Sequence, residues 1–148
     1  RIDNGLLPLR FERTSEDGYR EAQRRIAVAR ETGAEYLDLS GLQLIEIPGE
    51  IAELASLTIL YLYDNRLTDV GPLAGLIGLT SLNLHGNRLT DVSPLADLIG
   101  LTRLDLHANR VKDLSSLAGL TSLTWLDLRG NQLTDVGPLA GLTGLTTL

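Results

Sequence analysis

Asparagine returns at a fixed interval in this chain: Asn65, Asn87, Asn109 and Asn131 lie 22 residues apart without a slip. Leucines precede each one at constant offsets: Leu57, Leu60 and Leu62; Leu79, Leu82 and Leu84; Leu101, Leu104 and Leu106; Leu123, Leu126 and Leu128. Two positions after each Asn stands Leu67, Leu89, Val111 or Leu133, and then Val70, Val92, Leu114 or Val136. The segment LTDVGPLAGL occurs twice, at 67–76 and 133–142. A period of this length means one supersecondary unit repeated along an axis. Such a unit cannot bury its own leucines, so only stacking completes the core.

The details of one period describe its path. An alternation such as Leu60-x-Leu62 is a short strand with one buried face. One strand per repeat, always in the same direction, builds a parallel sheet with about 4.8 Å between neighbours. The Asn closes the strand at a tight bend, where its amide can bond backbone groups, and stacked Asn side chains then form a ladder inside the coil. The return leg carries Gly71-Pro72, Ser93-Pro94, Ser115-Ser116 and Gly137-Pro138, which suit the start of a short helical turn. The expected fold is therefore α/β: a solenoid with a curved parallel sheet on its concave face and short helical turns on the convex side.

Two segments frame the repeats. Residues 34–148 form the solenoid, of which 34–56 is an atypical first coil of 23 residues, and the last coil is incomplete. Leu37 and Leu39 keep the phase there, but Leu42 stands where Asn is expected. Residues 1–33 are an N-terminal segment and capping helix. Tyr19, Ala22, Ile26 and Ala29 make a stripe at helical spacing over 15–32, with Thr14 or Ser15 to start the helix and Gly33 to end it. Leu6, Leu7, Leu9 and Phe11 either pack on that helix or belong to a neighbouring element. Leu145 and Leu148 open a sixth coil without a cap, so its apolar edge is expected to meet further chain or a second copy.

The run L-T-D-V-x-P-L-A-x-L-x-x-L, as in Leu89 to Leu101, resembles the 22-residue leucine-rich repeats of bacterial internalin-type proteins. The opening AEYLDLSGLQLIEIPGEI, Ala34 to Ile51, with its Arg-rich preceding helix, is more similar to repeats of Roco-type GTPases. The first resemblance implies adhesion, the second a sensing or dimerising module. The motif G-x-x-x-x-G-K-[ST] does not occur in the chain. One scaffold of this kind carries many functions, so the site must be argued from its residues.

Bulk properties narrow the partners. The net charge is -6 and Lys112 is the sole lysine, which argues against nucleic acid. Without cysteine there is no disulfide and no Cys-ligated metal. No stretch approaches the roughly 18 apolar residues of a membrane span. The chain opens Arg1-Ile2-Asp3 and holds no Met, as a fragment or processed chain would. A cytoplasmic location is the mild expectation, with export left open.

Strand alternation gives the outward positions directly. The first column is Tyr36, Ile59, Ser81, Arg103, Trp125 and Thr147; the second is Asp38, Tyr61, Asn83, Asp105 and Asp127; the third is Ser40, Tyr63, His85, His107 and Arg129. The inward positions are nearly all leucine and the outward ones nearly all different, as an interaction module requires. Four of the six aromatics fall on this face. Exposed Tyr, Trp and Arg are frequent interface anchors, although aromatic residues also suit strands for packing alone. The expected protein-binding residues are Tyr36, Tyr61, Tyr63, Asp64, His85, Arg103, Asp105, His107, Trp125, Asp127 and Arg129. His85 and His107, on adjacent rungs beside Asp105, have the types to hold zinc or to answer pH. The plainer reading is two solvated polar residues, and neither metal nor cofactor is assigned. A hydrolase reading of Ser81, His107 and Asp105 lacks any suggested oxyanion hole. Asp69, Asp91, Asp113 and Asp135 are expected to accept backbone bonds in their own turns rather than to bind cations. The Arg20, Arg24, Arg25 and Arg30 group, interleaved with Glu21 and Glu31, reads as a solvated helix face.

Overall fold

Each 22-residue period folds as one coil, and five coils stack behind a single helix. The computed structural model describes residues 14–146; the sequence readings on Leu6, Leu7, Leu9, Phe11, Thr147 and Leu148 lie outside that range. Helix α1 spans Ser15–Thr32 and the strands are β1 (Tyr36–Asp38), β2 (Ile59–Tyr61), β3 (Ser81–Asn83), β4 (Arg103–Asp105) and β5 (Trp125–Asp127). They form one parallel sheet in the order β1-β2-β3-β4-β5. Leu37, Leu60, Leu82, Leu104 and Leu126 are direct partners in register and all are buried. Short 3-10 turns form the return legs, at Gly49–Glu53, Gly71–Leu73, Ser93–Leu95, Ser115–Leu117 and Gly137–Gly141. Fully burying a leucine is worth roughly 1.5–3 kcal/mol. Every coil buries several, so stacking rather than the three-residue strands holds the molecule together.

Polar ladders run beside the leucine core and tie each coil to the one before it. Asn87 shows the pattern: its amide nitrogen donates to the carbonyls of Leu84 and Leu62, each at 3.0 Å, and its oxygen accepts from Leu67 N at 3.0 Å. Two of those three partners belong to the preceding coil. Asn65, Asn109 and Asn131 repeat the arrangement. This explains Leu42. The bonds point backward, and behind the first coil lies α1 rather than another coil. A second ladder went unread in the sequence. The hydroxyls of Thr58, Thr80, Thr102, Thr124 and Thr146 donate to the carbonyl of the matching residue one coil back, at 3.1–3.2 Å.

The 3-10 turns begin at Gly71, Ser93, Ser115 and Gly137, but their capping group is the aspartate two residues earlier. Asp69, Asp91, Asp113 and Asp135 each accept the first N–H of the turn, at 2.7–2.9 Å. The structural reading of these carboxylates therefore stands. The same bond holds the Asp91 and Asp113 carboxyls below the usual carboxylate range, with the serine hydroxyls of Ser93 and Ser115 adding to it.

Helix α1 starts at a capping box in which Thr14 and Asp17 bond each other reciprocally, and it ends at Gly33 with φ of 64°. It buries Gly18, Ala22, Ile26 and Ala29 on the first coil, with Tyr19 packed at the margin of the core. Gly18 lies against the backbone of Leu42, where a Cβ would stand 1.6 Å from the Leu42 carbonyl oxygen. Arg24 and Arg25 both bond Glu21, which drives its carboxyl down to about 2, chiefly through Arg24; Arg25 also donates to the Asp38 carbonyl on β1, so it leaves the solvated face on which the sequence placed it.

Candidate functional site

The strand face carries a continuous row of rings that begins on the first coil. Tyr36 and Tyr61 meet edge to face with centroids 5.4 Å apart, and Tyr61 leans on Tyr63 at 5.9 Å. Tyr63 stacks on His85 at 4.9 Å and 8°, and His85 stacks on His107 at 4.6 Å and 19°. Tyr63, His85 and His107 stack because parallel pairing without register shift places equivalent side chains one strand spacing apart, while Tyr36 reaches Tyr61 diagonally, past its own register partner Ile59. Tyr36 is 50% exposed at the open end of the row, and the other rings are half-buried.

Beside the row stands a second pair. The Arg103 guanidinium lies over the Trp125 ring, 3.7 Å from its centroid, as adjacent β4 and β5 bring them into direct register. The two residues therefore act as one unit, with the face of the indole covered by the cation.

The acidic residues are less alike than their columns suggest. Asp127 is only 5% exposed, and Arg129 folds back over it with contacts of 2.9, 3.1 and 2.6 Å. Those bonds hold its carboxyl below the usual carboxylate range. The sequence placed Asp127 among the outward, partner-binding residues; it is not open there, because Arg129 two residues on uses it as a counter-ion and covers it. Asp105 accepts from His107 N at 3.0 Å and faces both imidazoles. Asp64, exposed and in the left-handed region at φ 57°, reaches over Gly86 toward His85, with 3.7 Å to the ring's Nε2. Asn83, passed over as a candidate, accepts from the backbone of His85 and sits 2.9 Å from its Nδ1.

A sequence profile described as "Leucine rich repeat" matches residues 77–133. The fold matches the crystal structure of an internalin C2 from Listeria monocytogenes with a TM-score of 0.73 and 38% identity, over 83% of this chain and 55% of that one. The chain belongs to the leucine-rich repeat family. Its repeats are of the bacterial internalin type. A leucine-rich repeat protein of Leptospira interrogans matches with a TM-score of 0.67 and 33% identity, over 72% of this chain and 28% of that one. The leucine-rich repeat domain of APL1 matches with a TM-score of 0.70 and 25% identity, over 81% of this chain and 34% of that one. The chain thus spans little more than half of the internalin C2 structure and a smaller share of the other two. No curated protein sequence matches it.

Leucine-rich repeat chains serve as protein interaction modules, and that is the general function carried by this fold. The repeat sheet gathers Tyr36, Tyr61, Tyr63, His85 and His107 into one row, Arg103 with Trp125 into a pair, and Asp105, Asp127 and Arg129 into a polar cluster beside the histidines. It does not bring Ser81 to His107. Ser81 is the register partner of Arg103, four residues before His107, which is roughly 13 Å along a strand. Among the described residues, no helix of this leucine-rich repeat chain is long and apolar enough to cross a membrane.

Proposed function

We propose that this chain captures a partner protein on the strand face of its repeats, with Tyr36, Tyr61, Tyr63, Arg103 and Trp125 as principal contacts. The carrying observation is the ring row together with the Arg103–Trp125 pair: large side chains already packed against one another in the unbound chain. Side chains ordered in advance lose less rotamer freedom on binding. Tyr, Trp and Arg are also the types whose truncation at an interface most often costs about 2 kcal/mol or more. His85, His107 and Asp105 form the polar end of the surface, with Asp64 at the rim, and Arg129 presents its covered pairing with Asp127.

A second reading is self-association through the edge of the last coil, the mode that would suit an oligomerising or sensing module of a larger protein such as a Roco-type GTPase.

Partner capture by the parent chain is compared with that of a Tyr61→Ala, Trp125→Ala double variant of matched melting temperature, with the mass of each followed against concentration by sedimentation. The expected result is a specific partner retained by the parent and lost by the variant. Equal capture by both would sink the strand-face reading. Concentration-dependent dimers in both chains would replace it with the edge.

A further inference from the structure

We propose that His85, His107 and Asp105 form a binding site for one divalent transition-metal ion of the zinc class. In the sequence, the two histidines read most simply as solvated neighbours. The structure adds convergence. The Nδ1 atoms of both rings are turned toward the same carboxylate: His107 Nδ1 lies 3.1 Å from Asp105 Oδ1, and His85 Nδ1 lies 3.7 Å from Asp105 Oδ2. The ligand atoms of all three residues fall within 4.8 Å of one another.

These spacings suit a small tetrahedral ion. With metal–nitrogen and metal–oxygen bonds of about 2.0–2.1 Å, two ligand atoms on one ion stand about 3.4 Å apart. The two nitrogen-to-carboxylate distances bracket that value already. The remaining gap, between the imidazoles, closes by turning side chains that are part-exposed, while the parallel strands beneath stay in register. Stacking at 4.6 Å holds both rings on the same side of the sheet before any ion arrives.

The surroundings are electrostatically suited to a cation. Asp105 and Asp127 are direct partners on β4 and β5, so two carboxylates face each other on neighbouring strands, which is unfavourable unless compensated. Arg129 is engaged on Asp127, while Asp105, whose side chain is 13% exposed, faces the two rings. Asp127 Oδ2 lies 3.8 Å from His107 Nδ1, and Asp64 Oδ1 lies 3.7 Å from His85 Nε2. Asn83 Oδ1 accepts from the backbone N–H of His85 and lies 2.9 Å from the ring's Nδ1, so the ion takes that nitrogen by displacing the Asn83 contact, with loss of the Nδ1 proton. Two imidazoles and one carboxylate select zinc, nickel or copper over magnesium and calcium, which take mostly oxygen donors. Water completes the coordination, because three protein ligands leave a position open. The site does not depend on the strand-face reading above, since an ion can bind here with or without a protein partner.

The chain holds two histidines and both are in the site, so their side-chain resonances report on it without background. The untagged, chelator-treated chain is titrated with zinc chloride and followed by histidine side-chain NMR and by calorimetry. The expected result is one ion per chain, with both histidines shifting together, and no shift with magnesium or calcium. His85→Gln, His107→Gln and Asp105→Asn are each expected to weaken binding by about tenfold or more, the range seen for weaker perturbations of metal sites. The metal-free melting temperatures of the variants stay at the parent's value. Unmoved histidine resonances in the parent chain overturn the proposal, and so does zinc binding of unchanged affinity in His107→Gln. Because the first readout uses the parent chain alone, a variant that fails to fold does not decide the outcome.

Discussion

Asn87 shows how much of the fold rests on single polar side chains. It is buried, and its amide satisfies two carbonyls and one backbone N–H, two of the three on the coil behind it. Removing it leaves those backbone groups unpaired in the core, and each buried orphan costs about 1–3 kcal/mol. Asn87→Ala is therefore expected to destabilise the chain by about 3 kcal/mol or more. Asn131 makes the same bonds, but its surroundings are part-exposed and water can replace them. Asn131→Ala should cost clearly less. Urea unfolding of the two variants checks the order, and equal losses would show that the bonds do not owe their value to burial.

At the scale of elements, α1 is the piece that does not repeat, and its fit is set by one glycine. Helical propensity favours alanine over glycine by about 1 kcal/mol, so Gly18→Ala would stabilise an exposed helix. Here the added carbon would meet the Leu42 carbonyl oxygen at 1.6 Å, a backbone atom that cannot turn away. The helix has to lift off the first coil, exposing Ala22, Ile26 and Ala29. Gly18→Ala should therefore lower the melting temperature and raise amide exchange in α1 and β1 while leaving β4 and β5 protected. Stabilisation by this change would mean that α1 is only loosely seated. The ion pairs across its outer face matter less: Arg20 and Glu16 are both largely exposed, and such pairs contribute little.

For the whole molecule, the acidic balance and the placement of its carboxylates set the response to pH. The carboxyls of Glu21, Asp91, Asp113 and Asp127 all have folded values below their ordinary ones, Glu21 by its arginines, Asp91 and Asp113 by turn N–H groups, and Asp127 by Arg129. A depressed folded value means that the unfolded chain takes up protons first. The stability these groups supply is therefore present above their unfolded values and is lost as pH falls through the folded ones. For Glu21 that window runs from 4.5 down to about 2. Melting temperature should hold steady above about pH 5 and fall steadily below about pH 4. Glu21→Gln should make the fall shallower, since it removes one of the groups that titrates. A melting temperature unchanged down to about pH 2.5, well inside the range in which native carboxylates must protonate, would contradict this account.

The sequence alone determined the period, the parallel strands, the inward leucines, the backbone role of Asn and Asp, and the limits of α1. Each of these follows from local spacing or from a residue's own chemistry, and a repeat multiplies such signals until they are plain. It also placed Tyr36, Tyr61, Tyr63, Arg103 and Trp125 on the strand face, because alternation has a fixed period of two. Tertiary structure decided what those side chains do with one another. That Arg103 covers Trp125, that Arg129 closes over Asp127, and that both imidazoles turn toward Asp105 are matters of torsion angles around bonds whose staggered options are nearly equal in energy. For Arg103 and His85 the choice is made by a neighbour one strand away, 22 and 20 residues distant in the chain, and for Arg129 and His107 by the aspartate two residues before. The same holds for Gly18, which carries no mark in its own helix and is explained only by the Leu42 carbonyl that the first coil presses against it.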